Sequence, residues 1–95
     1  GLILPHPQGI VIGPGVTIGE RAWIFQNVTI GGGNSKRPGT PTIGSNVVVY
    51  AGAVVVGPVT LGDRSAIGAN AVVSFDVPSL SYVGAPQGHI KARSI

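Results

Sequence analysis

Hydrophobic residues recur every six positions along most of this chain. The regularly spaced aliphatic residues are Ile12, Ile18, Ile24, Ile30, Ile43, Val49, Val55, Leu61, Ile67 and Val73. After all but Ile30, a second small or apolar residue follows four positions later, at Val16, Ala22, Val28, Val47, Ala53, Val59, Ser65, Ala71 and Val77. A period of six is neither the helical period nor simple strand alternation. It predicts a chain that turns a corner every six residues and points these side chains inward.

Three hexads of this kind close one triangular coil. The segment from Leu4 to about Val83 is therefore predicted to make about four coils. At the usual strand spacing of ~4.8 Å per coil, the resulting prism is about 20 Å tall. Each coil is expected to hydrogen-bond to the next, so that the aliphatic residues stack into one core. The 16 glycines suit a solenoid that turns sharply and often.

The first interruption of the period is the segment GGGNSKRPGTPT, residues 31–42. It is about seven residues longer than a hexad and rich in turn formers. We expect it to leave the prism as a loop. Loops on rigid scaffolds often carry function, although a tolerated insertion would look the same.

The second interruption lies near the start of the chain. Leu4 fits the pattern, but the next aliphatic position, Ile12, follows eight residues later. Pro5 and Pro7 fix the backbone on either side of His6. We predict that the two extra residues form a bulge from which His6 points outward. The alternative places the imidazole in the aliphatic core, where it would find no hydrogen-bonding partner.

Residues 79–95 lose the period, and we expect them to form a tail that caps the last coil and protects its open edge. At 95 residues the whole chain, residues 1–95, is predicted to be a single domain. The chain begins at Gly1 rather than at methionine, so it is compatible with being a processed piece of a longer protein.

Only 9% of the residues are charged, which is low for an isolated monomer and suggests that other copies of the chain cover part of the surface. Without cysteine, disulfides and thiol nucleophiles are excluded. We expect a cytoplasmic protein because no signal peptide or membrane-length apolar run is visible. The basic residues Lys36, Arg37, Lys91 and Arg93 are not interleaved with aromatic residues, which favours a phosphate-bearing cofactor over nucleic acid.

Several motifs have a familiar form. The hexads, HPQGIVIG, VTIGGG, TPTIG, YAGAVVVG, IGANAVV and VGAP resemble those of the hexapeptide-repeat acyltransferases. The likeness is closest to the catalytic domain of serine acetyltransferases and covers His6 to about Lys91. It implies an all-β, left-handed parallel β-helix that assembles as a homotrimer. It also implies acetyl-CoA as acyl donor, no metal, and active sites in clefts between neighbouring prisms.

The resemblance also implies roles for particular residues. His6 holds the position of the family's general base, a role that suits an imidazole because its ordinary pKa lies near neutrality. Gly32 is a candidate for contacting the thioester oxygen through its backbone N–H. Ala51 and Ala69, which are one coil apart, resemble the positions that meet the pantetheine arm of CoA, although small residues also suit tight corners. Lys91 resembles the family's C-terminal basic residue, which meets CoA phosphates.

This chain departs from the family where serine is held. A carboxylate precedes the catalytic histidine in serine acetyltransferases, and here that position is Pro5. The loop positions that carry arginine and histidine in that family are Gly39 and Thr40. The acceptor is thus predicted to be a small hydroxyl compound, serine in the first place. A sugar hydroxyl or amine of polysaccharide synthesis is the alternative.

Two other classes are disfavoured, and a third stays open. A γ-type carbonic anhydrase needs three zinc-binding histidines, and this chain has only His6 and His89. An ice-binding face needs a row of threonines, and we expect Thr17, Thr29, Thr42 and Thr60 not to form one. A truncated, non-catalytic β-helix remains the structural alternative.

Overall fold

The computed structural model describes residues 1–85 and consists of short parallel strands without a helix in that range. The eleven strands are β1 (Val11–Ile12), β2 (Thr17–Ile18), β3 (Trp23–Ile24), β4 (Thr29–Gly31), β5 (Thr42–Ile43), β6 (Val48–Val49), β7 (Val54–Val56), β8 (Thr60–Leu61), β9 (Ala66–Ile67), β10 (Val72–Val73) and β11 (Tyr82–Val83). In the same range no helix is long and apolar enough to cross a membrane.

The strands form three parallel sheets, one for each side of a prism. The first sheet has the order β1-β4-β7-β10, the second β2-β5-β8, and the third β11-β9-β6-β3. Consecutive strands thus lie in different sheets, and each strand pairs with the strand one coil later. This is the left-handed parallel β-helix expected from the hexads. Isolated bridges, Ile3 to Trp23 and Leu61 to Val77, extend the third and second sheets.

The strand register locates both interruptions. Thr42 pairs with Thr60 at the regular spacing of three hexads, whereas the spacing between the paired residues Thr17 and Thr42 is longer by seven. The loop therefore adds seven residues, as predicted. Ile3 pairs with Trp23 at a spacing two longer than three hexads, which confirms two extra residues in the first coil. At the other end, β11 pairs with β9 and covers its edge.

The core coincides with the predicted inward positions. In residues 1–85 the fully buried hydrophobic side chains are Ala22, Ile24, Val28, Ile30, Ile43, Val47, Val49, Ala53, Val55, Val59, Leu61, Ile67, Ala71, Val73 and Val77. All are members of the two predicted series. Pro41, at the end of the loop, is also fully buried and was not predicted. Ser65 is also buried, and its hydroxyl donates a hydrogen bond of 2.7 Å to the carbonyl oxygen of Gly62. The remaining members, Ile12, Val16 and Ile18, are half-buried because no strand within residues 1–85 lies above β1 and β2.

Corners are turned by residues with positive φ three positions before most of the inward aliphatic residues. The non-glycine examples have φ between 53° and 62° and are Arg21, Asn27, Asn46, Arg64, Asn70 and Leu80. Glycine occupies the same place in other hexads, for example at Gly52. This left-handed conformation favours Gly and Asn. A Gly or Asn shortly before a strand therefore indicates a corner in the sequence.

The glycines that follow the aliphatic positions have a different role. A Cβ atom on Gly44 would lie 2.8 Å from the carbonyl oxygen of Leu61 and 2.9 Å from the amide nitrogen of Asp63. A Cβ atom on Gly19 would be equally close to the backbone of Gly44 and Ser45. These glycines are needed because the next coil lies against them, not because the chain turns there.

The four threonines do not form one row, as expected, although three of them do. Thr17, Thr42 and Thr60 are in register on adjacent strands of the second sheet and form a single exposed row. Thr29 lies in the first sheet. This row could not be recognised from the sequence because the seven-residue loop lengthens the spacing between Thr17 and Thr42.

Candidate active site

Three corners join the sheets, and the chemistry differs between them. We call the connection from the third to the first sheet the His6 corner (residues 4–10, 25–27, 50–52 and 68–70). The connection from the first to the second sheet is the loop corner (residues 13–15, 32–41, 57–58 and 74–76). The connection from the second to the third sheet is the charged corner (residues 19–21, 44–46, 62–64 and 78–80).

His6 is exposed in a bend between Pro5 and Pro7, so it points outward as predicted. Below it, the backbone N–H of each positive-φ residue donates a hydrogen bond to a carbonyl oxygen in the coil above. Asn27 N–H donates to the Gln8 carbonyl oxygen at 2.9 Å, and Asn70 N–H donates to that of Ala51 at 3.0 Å. The bulge is therefore fixed at its lower end to a regular stack.

Ala51 and Ala69 lie in this same stack, on successive coils below His6. Gln26 occupies the equivalent position one coil above Ala51, since Gly52 N–H donates to the Gln26 carbonyl oxygen at 3.0 Å. Ala51 is half-buried and Ala69 is exposed, so their small side chains leave the corner open. The structure thus brings together three of the predicted site residues, His6, Ala51 and Ala69, on one edge.

Gln26 was not identified from the sequence. Its side-chain oxygen Oε1 is buried and has no hydrogen-bond partner among the described residues. Phe25 and Tyr50, which precede Gln26 and Ala51, stack with their ring centroids 5.4 Å apart at an angle of 16°. The aromatic pair could have been found from the sequence, because Phe25 and Tyr50 are each the first residue after an inward aliphatic position.

The other predicted site residues lie at the loop corner. Gly33 N–H donates to the Gly39 carbonyl oxygen at 2.9 Å and closes the base of the loop. The Thr40 hydroxyl donates to the Gly15 carbonyl oxygen at 2.9 Å. Gly32 is exposed, and its N–H donates no hydrogen bond within residues 1–85. Lys91 and Arg93 lie outside the described residues.

The loop does not project freely from the prism. The Asn34 side chain accepts hydrogen bonds from the amides of Lys36 and Arg37, at 2.9 and 3.1 Å, and makes a tight turn. Arg37 then reaches the fourth coil, where its Nη1 donates to the Ser74 carbonyl oxygen at 2.8 Å. The loop therefore lies along the edge of the prism and is held at both ends.

His6 and Gly32 lie at opposite ends of the strands of the first sheet, His6 before β1 and Gly32 after β4. The strand β1 and its flanking residues separate the two corners by about 15 Å at the usual rise per residue. One copy of the chain therefore does not bring the His6 imidazole and the Gly32 N–H to the same reacting group.

Charge is concentrated away from His6. The charged side chains in residues 1–85 are Glu20, Arg21, Lys36, Arg37, Asp63, Arg64 and Asp76, and all of them lie at the loop corner or the charged corner. Asp63 and Asp76 accept hydrogen bonds of 2.8 Å from the amides of Ser45 and Thr60. The side chains around His6 are neutral.

Comparison with known proteins agrees with this architecture. Residues 40–74 match the family described as bacterial transferase hexapeptide (six repeats). The serine acetyltransferase of Helicobacter pylori (strain J99) is 48% identical over 97 residues, which cover all of this chain and 54% of that protein. The chain thus spans about half of this relative, and 42% of the Staphylococcus aureus serine acetyltransferases, to which it is 44% identical.

Solved structures of serine acetyltransferases are also similar. Isoform 3 from Entamoeba histolytica, in complex with cysteine, has a TM-score of 0.85 at 32% identity, covering 99% of this chain and 34% of that one. The enzyme from Brucella abortus strain S19, in complex with coenzyme A, has a TM-score of 0.82 at 33% identity, covering 90% and 35%. The chain has the fold and repeats of the hexapeptide-repeat acyltransferases. Within that class it is close to the serine acetyltransferases.

Proposed function

We propose that this chain is the acetyl-transferring part of an acetyl-CoA-dependent O-acetyltransferase of the serine acetyltransferase type. The observation that carries this proposal is the exposed His6 at the top of a column of small residues, Ala51 and Ala69. The similarity to a serine acetyltransferase solved with coenzyme A supports acetyl-CoA as the donor.

The donor would lie along the His6 corner. From Ala69 past Ala51 and Gln26 to the level of His6 there are three inter-coil spacings, about 14 Å. An extended pantetheine arm spans such a length, and the two alanines let it approach the backbone. In this arrangement the thioester reaches His6 while the nucleotide end lies near the C-terminal coils, where Lys91 is proposed to meet its phosphates.

The reaction needs no covalent intermediate on the protein. His6 removes the proton from the acceptor hydroxyl, and the oxygen attacks the thioester carbonyl carbon. The Gly32 N–H of a neighbouring copy donates a hydrogen bond to the developing oxyanion. The carbon–sulfur bond then breaks, and the imidazolium returns the proton to the departing thiolate.

The shared site implies a homo-oligomer, which we propose is a trimer. If His6 of one copy and Gly32 of another meet, the first sheet faces the partner copies. Its outer side carries the column Val11, Thr29, Val54 and Val72, which is apolar at all positions but Thr29, with Val11 57% and Val72 64% exposed in the single chain. Burying such a column is the usual basis of a stable contact between copies.

Serine is the first acceptor to consider, because the curated relatives are named serine acetyltransferases. Gly39 and Thr40 would line its site, and the chain would then act in cysteine biosynthesis in the cytoplasm. A sugar hydroxyl is the second candidate. The observation in its favour is that neutral residues, Pro5, Gly39 and Thr40, stand where charged groups would hold an amino acid.

The proposal is tested by measuring free thiol released from acetyl-CoA, together with calorimetric titration of CoA. We expect CoA to bind and an acceptor to accelerate thiol release. A chain that binds no CoA and releases no thiol with any acceptor has a structural role instead.

A further inference from the structure

The outer face of the third sheet carries four of the five aromatic residues of the chain. Trp23 and Tyr82 are the outward residues of β3 and β11. Phe25 and Tyr50 directly follow β3 and β6. Trp23 and Tyr50 are each 42% exposed and Tyr82 is 68% exposed. Soluble proteins seldom leave this many rings on one face without a binding role.

Three of these rings follow the edge that borders the His6 corner. Phe25 stacks on Tyr50, and the next coil has Gly68 at the equivalent position. The Tyr82 phenol fills that place, because a Cβ atom on Gly68 would lie 2.5 Å from the Tyr82 hydroxyl oxygen. Phe25 and Tyr50 thus stack on each other, and the Tyr82 phenol lies at the next level of the same edge. We call these three residues the aromatic column.

The aromatic column is adjacent to the proposed acetyl-transfer site along its whole length. Phe25 immediately precedes Gln26, Tyr50 precedes Ala51, and Gly68 precedes Ala69. Phe25 is one coil below the His6 bulge, a step of about 5 Å. A six-membered ring lying over Phe25 and Trp23 would therefore hold a substituent within reach of the imidazole.

The electrostatics of this face select the kind of ligand. Within residues 1–85 its outward side chains are uncharged. The nearest charged groups, at the charged corner, border the end of this sheet that is far from His6. A zwitterionic amino acid requires ionic partners for its two charges. A neutral sugar instead has a face of C–H groups whose partial positive charge suits the negative face of an aromatic ring. Its hydroxyls can hydrogen-bond to polar groups at the rim, such as the Tyr50 hydroxyl.

We propose that the acceptor is a neutral carbohydrate, which stacks on the aromatic column and Trp23 and presents one hydroxyl to His6. This inference rests on the proposed acetyl transfer, and between the two acceptors considered above it selects the sugar. His6 takes the proton of the sugar hydroxyl, the sugar oxygen forms a bond to the acetyl carbon, and the carbon–sulfur bond breaks. The proton passes to the thiolate, so the products are an O-acetyl sugar and CoA.

The test compares acceptors first. Thiol release from acetyl-CoA is followed with L-serine and, separately, with methyl glycosides of glucose, galactose and mannose and with cellobiose. We expect at least one carbohydrate, and not serine, to accelerate release. Serine turnover without carbohydrate turnover overturns the carbohydrate inference but leaves acetyl transfer standing. Release with neither class overturns acetyl transfer itself.

The second part tests the aromatic column. We expect Tyr50→Ala to raise the KM for the carbohydrate about tenfold, as loss of one stacking ring would, with the KM for acetyl-CoA unchanged. Tyr50→Phe keeps the ring and loses only the hydroxyl, so it should raise the KM much less than Tyr50→Ala does. Tyr82→Ala gives a second variant should Tyr50→Ala fold poorly. Leu80→Ala, which removes an apolar group that is 78% exposed at the charged corner, is the control. An unchanged carbohydrate KM, or a change of oligomeric state instead, shows that the face does not bind the acceptor.

Discussion

The guanidinium of Arg37 donates a hydrogen bond of 2.8 Å to the carbonyl oxygen of Ser74. These residues are 37 positions apart, and the contact joins the tip of the loop to the fourth coil. The loop leaves the prism after the second coil, so it crosses the edge of the third coil on the way. An inserted segment held in this way presents Gly32 and Lys36 in a fixed arrangement, as the proposed site between two copies would require.

Replacing Arg37 by alanine should release the loop without unfolding the prism. We expect faster amide hydrogen exchange in residues 33–39 because the link to the fourth coil is lost. The free energy of unfolding should change by less than about 0.5 kcal/mol because the side chain is exposed. Lys36→Ala is the matched control, and equal exchange rates in the two variants would show that Arg37 does not restrain the loop.

The glycines of the charged corner should be intolerant of a methyl group. In Gly44→Ala the new Cβ would lie 2.8 Å from the Leu61 carbonyl oxygen, so we expect a loss of about 1–3 kcal/mol in the free energy of unfolding. Gly31→Ala is the control, because a Cβ there meets no atom within 4 Å. Urea denaturation measures both, and equal stabilities would contradict the close approach of neighbouring coils.

A larger side chain on the His6 corner should obstruct the donor. Ala69 is exposed, so Ala69→Leu is expected to leave the melting temperature unchanged and to weaken CoA binding at least tenfold by steric overlap. Thr60→Leu makes a similar addition on the exposed face of the second sheet and serves as the control. Calorimetric titration of CoA decides the matter, since native affinity in Ala69→Leu would place the donor elsewhere.

A site shared between copies can be tested by mixing two inactive variants. His6→Ala removes the base and Gly32→Pro removes the N–H donor. If each site takes His6 from one copy and Gly32 from the next, random one-to-one mixing restores about a quarter of the native turnover. Co-refolded mixtures that stay inactive, while native chains treated in the same way recover, would place both groups of a site on one copy.

The hexad core was fully predictable because inward positions in a β-helix depend only on local spacing. Ile24, Val49 and Ile67 follow one another in adjacent coils, and their burial follows from the period alone. The outward position of His6 was also predictable, since two extra residues between prolines have no place in an aliphatic stack.

Features that depend on pairing across the loop were not predictable. The row of Thr17, Thr42 and Thr60 appears only once the seven loop residues are removed from the register. The position of Tyr82 over Gly68 arises because the step from β9 to β11 is two residues shorter than a regular coil.

The central claim is that His6 is the general base of an acetyl-CoA-dependent transfer, and thiol release from acetyl-CoA tests it most directly. With the acceptor that gives turnover, His6→Ala should lower kcat at least about 100-fold. Its far-ultraviolet circular dichroism and melting temperature should remain native because the side chain is exposed. Thr17→Ala, on the outer face of the second sheet, should keep the native rate. Turnover in His6→Ala equal to that of the native chain would contradict the claim.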